Sequence, residues 1–389
     1  MANTLTNLFP DLYAALDIVS RELVGFIPAV RRDSNIERAA VGETVRVPVT
    51  TEEAAQDITP GVNAPDNGDT TVDNRPVQIT RQRGVGVRFN GEETRGLQNA
   101  DTYATIRRDR FAQAMRELVN EIEADLASEA IEASQGYGEA GTTPFGTKDD
   151  FSDFAGVAQV LDANGAPMSD RQLVAGSQAW FNLRGTQTGV LQRTNEAGTD
   201  EALRMGEFGQ VNRMTLRNSA QVAYHTSGSI TDVTANDNPV GTTEVEVETA
   251  GSSGDISLNK GDLISIAGDD NLYTVAEDTS EGSGVTTTII PINEPGLAVP
   301  TSDGDAVSAQ GDYIANVGFH RNALQLATRA PALPEGGDEA DDRTVVQDPV
   351  SGLAFEVSVY RQYRQVRYEV AMAWGYKATK PEHMALLLG

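Results

Sequence analysis

The chain has 389 residues, 39% of them hydrophobic, which is apolar material for two or three compact units. Its 57 acidic residues against 30 basic ones give a formal net charge of −27, which repels polyanions and argues against direct nucleic-acid binding. With no cysteine there is no disulfide, thiolate nucleophile or cysteine zinc site, as expected of a protein made in a reducing cytoplasm.

Four of the basic residues are lysines (Lys148, Lys260, Lys377, Lys380) and the other 26 are arginines. Arginine's planar fork suits fixed ion pairs at interfaces, although a GC-rich genome or a salty habitat explains the same bias equally well. Met1 to Thr6 lacks the basic start and apolar run of an export signal, and no stretch approaches membrane-spanning length, so no membrane partner is expected.

Pro10 near a first helical position, with Leu12, Ala15, Leu16, Val19 and Leu23 on one face, predicts a short amphipathic helix that Gly25 and Pro28 end. Thr44 to Val49 reads as a strand. Thr51 to Asn74 carries Glu52, Glu53, Asp57, Asp66, Asp69 and Asp73 without one basic residue, and such a stretch buries no core alone. Val77 and Ile79, then Val85, Val87 and Phe89, restore a period of two, so the region reads as two strands embracing a long excursion.

Phe111, Met115, Leu118, Ile122, Leu126 and Ala130 predict a helix from Thr102 to Ser134, capped by Asp101 and stopped by Gly136 and Gly138. At about 1.5 Å per residue it would run roughly 50 Å and act as a strut. Phe151, Phe154, Ala158 and Leu161 predict a second helix, Gln172 to Ala175 a strand, and Ser177 to Leu183 another helical turn or two.

No arginine lies between Arg217 and Arg321. Thr226 to Asp312 holds sixteen Asp or Glu against Lys260 alone, so this quarter carries −15 of the −27. Its short runs (Thr243 to Val247, Leu263 to Ala267, Leu272 to Ala276, Thr286 to Ile292), separated by Gly, Ser, Asp and Asn, read as a small inserted all-β unit. Beyond it, Asn322 to Ala327 reads as a helical turn and Leu353 to Tyr363 as a strand.

The closing stretch is the best patterned. Val366, Tyr368, Val370, Met372, Trp374 and Tyr376 alternate with Arg367, Glu369, Ala371, Ala373, Gly375 and Lys377, which is a strand with one buried face. After a proline-marked turn, Met384 to Leu388 is expected to fold back and pair with it.

Catalytic constellations are missing from the pattern. His225, His320 and His383 stand far apart, with no partner at metal-ligand spacing. There is no nucleophile elbow and no phosphate-cradling glycine loop. The acidic run Glu335, Asp338, Glu339, Asp341, Asp342 lacks the alternating oxygens of a calcium loop and reads as solvated, and no cofactor or enzymatic activity is expected.

The run from Ala373 through Trp374, Gly375, Tyr376, Lys377, Ala378, Thr379, Lys380 and Pro381 to Glu382 resembles the closing segment of tailed-phage major capsid proteins of the P-twenty-two type. Asn259 to Gly268 resembles a strand passage of the insertion domain in that type. The resemblance implies an α+β protein of the Hong Kong 97-type capsid fold. Residues 1–40 would be the N-arm, 41–90 the extended loop and 91–150 the spine helix and peripheral domain. Residues 151–225 would form the axial domain, 226–312 the inserted β domain and 313–389 the return to axial and peripheral domains.

By the same resemblance the protein would form hexamers and pentamers of an icosahedral head enclosing double-stranded DNA, with separate scaffolding and portal proteins, assembled in the host cytoplasm. Some relatives weld subunits through an extended-loop lysine, and Val41 to Phe89 contains none, so no lysine–asparagine cross-links are expected. Asp11, Asp17 and Glu22 on the arm, Glu52, Glu53 and Asp57 in the excursion, and Arg81 and Arg83 beyond it are the candidate scaffold or subunit contacts. An encapsulin-like nanocompartment shell is the alternative within the fold. A secreted β-rich binding or hydrolytic protein is a more distant one, which the missing export signal opposes.

Overall fold

In a computed structural model of the protein, residues 25–50, 72–99, 103–187, 209–249, 254–281, 287–347 and 352–389 are described. The closing strand, Gln365–Ala378, is the axis of a six-stranded sheet. Trp374 pairs with both Arg81 and Thr328, and Val370 with both Val85 and Val357. Both edges of the strand are therefore filled, by Arg81–Asn90 on one side and by Ala354–Gln362 and Leu324–Pro331 on the other. The expected pairing of Met384 to Leu388 with this strand is accordingly wrong. A 3₁₀ turn, Pro381–His383, carries the chain to a second sheet, where Met384–Leu387 lies between Asn316–His320 and Gln135–Tyr137.

Other departures have local causes. The strands that pair across the acidic excursion are Thr44–Thr50 and Val72–Gln78, while Arg81–Asn90, read as part of the loop, joins the closing strand. Leu324–Pro331, expected to begin as a helical turn, is a strand buried at all eight positions, because its pairing on two sides outweighs local propensity. Phe26–Ala29 is itself one helical turn, and Pro28 fits it because the first turn needs no N–H.

The long helix spans Tyr103–Ser128, about 39 Å at about 1.5 Å per residue, and ends in a 3₁₀ turn, Glu129–Glu132. Gly136, taken as a helix stop, is in the strand Gln135–Tyr137, where a Cβ would lie 2.8 Å from the Leu263 side chain. An unanticipated helix, Gly91–Asn99, precedes it. Asn90 Oδ1 accepts the Glu93 amide at 2.7 Å and Glu93 returns a carboxylate to the Asn90 amide at 3.0 Å, a reciprocal cap of the capping-box kind.

The predicted helices near Phe154 and Ser177 occur as Ser152–Ala163 and Ser177–Gly185, and the strand between them as Arg171–Ala175. The architecture is mixed α and β with strands predominating. The main apolar core joins Phe111, Met115, Leu118, Ile122 and Leu126 of the long helix to Tyr368, Val370, Met372 and Trp374 of the closing strand. The acidic quarter has an apolar cluster of its own, including Val245, Val247, Ile264, Tyr273, Ile290 and Val307. Its sheet nevertheless continues into the rest of the molecule, because Leu272–Thr274 pairs with Gln135–Tyr137.

Candidate assembly surfaces

The C-terminal half of the long helix and the 3₁₀ turn after it carry a row of carboxylates that fasten the N-terminal segment and two strands of the six-stranded sheet to them. Glu123, buried in the apolar stripe, accepts the amides of Gly25, Phe26 and Ile27 at 2.5, 2.7 and 3.0 Å and so fixes where the N-terminal segment meets the core. Burial raises its carboxyl above the usual range, against the amides that lower it. Asp125 takes Trp374 Nε1 at 2.9 Å and Arg81 at 3.1 Å. Glu129 accepts the Ala378 amide at 2.8 Å, and its carboxyl is pushed up to about 7, chiefly by burial.

Arg81 and Arg83 leave the excursion side of the sheet and pair with this helix, Arg81 with Asp125 and Arg83 with Glu121 at 3.2 Å. Both remain exposed, so an outward contact is sterically open to them, but their charge is partly answered within the chain. The other six expected contacts, Asp11, Asp17, Glu22, Glu52, Glu53 and Asp57, lie outside the described residues.

A different basic surface is assembled by the fold. Arg88 stands directly opposite Arg367 across the Arg81–Asn90 and Gln365–Ala378 pair, a like-charge arrangement that costs stability unless answered. Glu369 answers Arg367 at 2.7 Å. Arg88 and Arg110 have no carboxylate partner among the described residues, and with Arg367 they line a cleft of about 740 Å³. An adjoining cleft shares Asn90 and Gln365 with it and adds Arg95, Arg361 and Arg364, beside the exposed hairpin tip at Tyr363.

No sequence signal pointed to this cleft. Arg88, Arg110 and Arg367 are scattered along the chain; strand register sets Arg88 opposite Arg367, and the packing of the long helix on the sheet brings Arg110 to them.

The histidines prove less isolated than their spacing implies. His225 Nε2 is 2.7 Å from buried Asp262, and the rings of His320 and His383 meet edge to face at 6.2 Å. Among the described residues no group of three His, Cys, Asp or Glu is arranged to hold a metal ion. In the acidic run, Asp338 binds Arg343 at 2.5 Å and the Tyr360 hydroxyl at 2.8 Å, and Asp341 binds Arg361 at 3.1 Å.

No family model and no curated protein matches the sequence. Among solved structures the chain is similar to that of Mycobacterium phage Che8, at 12% identity over 94% of this chain and 90% of that chain, TM-score 0.46. It is similar also to the capsid of cyanophage P-SCSP1u, at 12% identity over 94% and 89%, TM-score 0.46. Several of the similar structures are phage capsids. A virus-like particle from Pyrococcus furiosus is similar as well, at 10% identity over 98% of this chain and 99% of that chain, TM-score 0.44.

Proposed function

We propose that the protein is the major capsid subunit of a tailed phage, self-assembling as hexamers and pentamers into the icosahedral shell around double-stranded DNA. The reading takes the fold to be of the Hong Kong 97 type, with residues 226–312 as an inserted β domain of the P-twenty-two kind. The observation that carries it is an order of elements. An N-terminal segment is pinned by Glu123, paired strands bracket an acidic excursion, a 26-residue helix packs on the closing strand, and an acidic unit with its own core interrupts the remainder.

The subunits are self-complementary in charge. In this reading the acidic excursion, with Glu52, Glu53 and Asp57, meets the arginine cleft of a neighbour, where Arg88 and Arg110 supply the answering charge. Asp11, Asp17 and Glu22 on the arm recruit a basic scaffolding protein, and a portal protein occupies one vertex. An acidic inner wall repels the packaged genome instead of gripping it. Assembly proceeds in the host cytoplasm without lysine–asparagine cross-links, since the excursion and its flanking strands hold no lysine.

Sedimentation of the purified protein over a range of ionic strengths tests the proposal. Capsomer-sized or larger species that dissolve on a denaturing gel into one band support it. A covalent ladder would contradict the cross-link-free shell.

A further inference from the structure

Lys260, the one basic residue of the acidic quarter, stands on the turn Asn259–Lys260–Gly261–Asp262 between the strands Asp255–Leu258 and Leu263–Ile266. That turn touches both chain crossings of the unit and the end of the long helix. On the entering side, Asp262 is fully buried. One of its oxygens takes His225 Nε2 at 2.7 Å, and the other takes the amides of Gly228 at 2.9 Å and Asn259 at 2.7 Å. Asn259 Nδ2 adds a bond to Thr226 O at 3.1 Å.

On the leaving side, the Tyr313 hydroxyl donates to Gly261 O at 2.6 Å, and its ring lies 4.9 Å from that of His225. At the helix end, Lys260 Nζ is 2.5 Å from Glu132. Gly261, at φ +94°, comes so close to Ile131 that a Cβ would lie 2.8 Å from it. The crossings themselves are slight, a two-stranded ribbon of Tyr224–His225 and Tyr313–Ile314. The unit is also held where Leu272–Thr274 pairs with Gln135–Tyr137, but its apolar cluster is its own, so how it is seated at the crossings and whether it folds are separable questions.

We propose that the Asn259–Asp262 turn is a latch that fixes how the acidic β unit sits on the end of the long helix, with Asp262 as the positioning residue. Asp262 is suited to this because a carboxylate only accepts, and three donors from two segments converge on it. An asparagine there would aim its NH₂ at a donor on one side or the other. His225 needs only an Nε donor, so a glutamine can stand in for it where an alanine cannot.

Hydrogen exchange on the unassembled protein tests the latch. In Asp262→Asn and His225→Ala, amides at 224–228 and 312–315 should exchange at least tenfold faster, while the strands Glu244–Thr249 and Thr288–Pro291 keep their protection. His225→Gln should behave as wild type. Unchanged exchange at the crossings overturns the proposal. So does loss of protection throughout the unit in both loosening variants, which would make Asp262 and His225 part of its fold and not of its seating. Where the latch opens, the shell reading adds that assembled particles change size or fail to close. If exchange responds and the protein never assembles in any form, the shell reading fails and the latch stands.

Discussion

Trp374 Nε1 donates to Asp125 Oδ2 at 2.9 Å, tying the long helix to the closing strand at a residue where both strand edges are paired. The indole is fully buried, so Asp125→Ala leaves its N–H without an acceptor. The expected loss is about 1–3 kcal/mol, with Asp125→Asn costing less because its amide oxygen still accepts. Urea denaturation of the unassembled protein measures both. Equal stabilities for the two variants would show that the bond contributes nothing.

Glu129 predicts a pH dependence. Its carboxyl is raised from 4.5 to about 7 by burial, with Glu132 adding to the rise and the Ala378 amide, Lys260 and Lys377 opposing it. The folded protein therefore holds this proton more tightly than the unfolded chain. The stability that results is present below about 4.5 and is lost as pH climbs to about 7, a loss on the order of 3 kcal/mol. Glu129→Gln should raise the melting temperature at pH 8 and leave it near wild type at pH 4. His383 runs the other way. Burial, then Lys380, His320 and Arg171, hold it down to about 4, so its contribution is lost as pH falls from 6.5 towards 4.

Gly375 gives a steric prediction. A Cβ there would lie 2.0 Å from the carbonyl oxygen of Gln78, on backbone that cannot swing away. Gly375→Ala should cost about 3 kcal/mol or more, whereas Ala371→Gly on the same face, at a half-buried position, should cost far less. Comparable losses would mean that the Gln78–Ile79 segment does not cover the strand.

This glycine marks how far the sequence could be read. Alternation found the strand and its buried face, from Tyr368 to Trp374, and the spacing of Phe111 to Leu126 found the helix packed on it. It assigned Ala373 and Gly375 to the open face, yet both are buried. Val77 and Ile79 gather in a small cluster with Ala373, and residues Gln78 and Ile79 close over Gly375. A period of two registers only the bulkier face.

The carboxylates of the helix were illegible for a related reason. Glu123 sits beside Ile122 and Leu126 in the apolar stripe, and nothing in its neighbours announces that three amides from residues 25–27 will converge on it. The arginine cleft depends on the register of two strands far apart in the chain and on the long helix packed beside them. By contrast, the change of composition over the acidic quarter coincides with an apolar cluster drawn from its own strands, although its sheet runs on through Leu272–Thr274 into the rest of the molecule.

The arginine cleft should be dispensable for folding. Arg88→Ala with Arg110→Ala removes two cations unpaired among the described residues, and unfolding free energy should stay within about 0.5 kcal/mol. Assembly should fall sharply, and more so for Arg88→Glu with Arg110→Glu. Combining that pair with Glu52→Arg and Glu53→Arg should restore part of the loss. Restoration by neither charge swap nor lowered salt would remove the excursion as the cleft's occupant.

Electron microscopy of the purified protein in negative stain, at low and high ionic strength, decides whether the protein builds a shell. Closed shells, or rings of five and six subunits, are expected in at least one condition. A monodisperse monomer under every condition, with and without a basic scaffold partner, would contradict the shell reading.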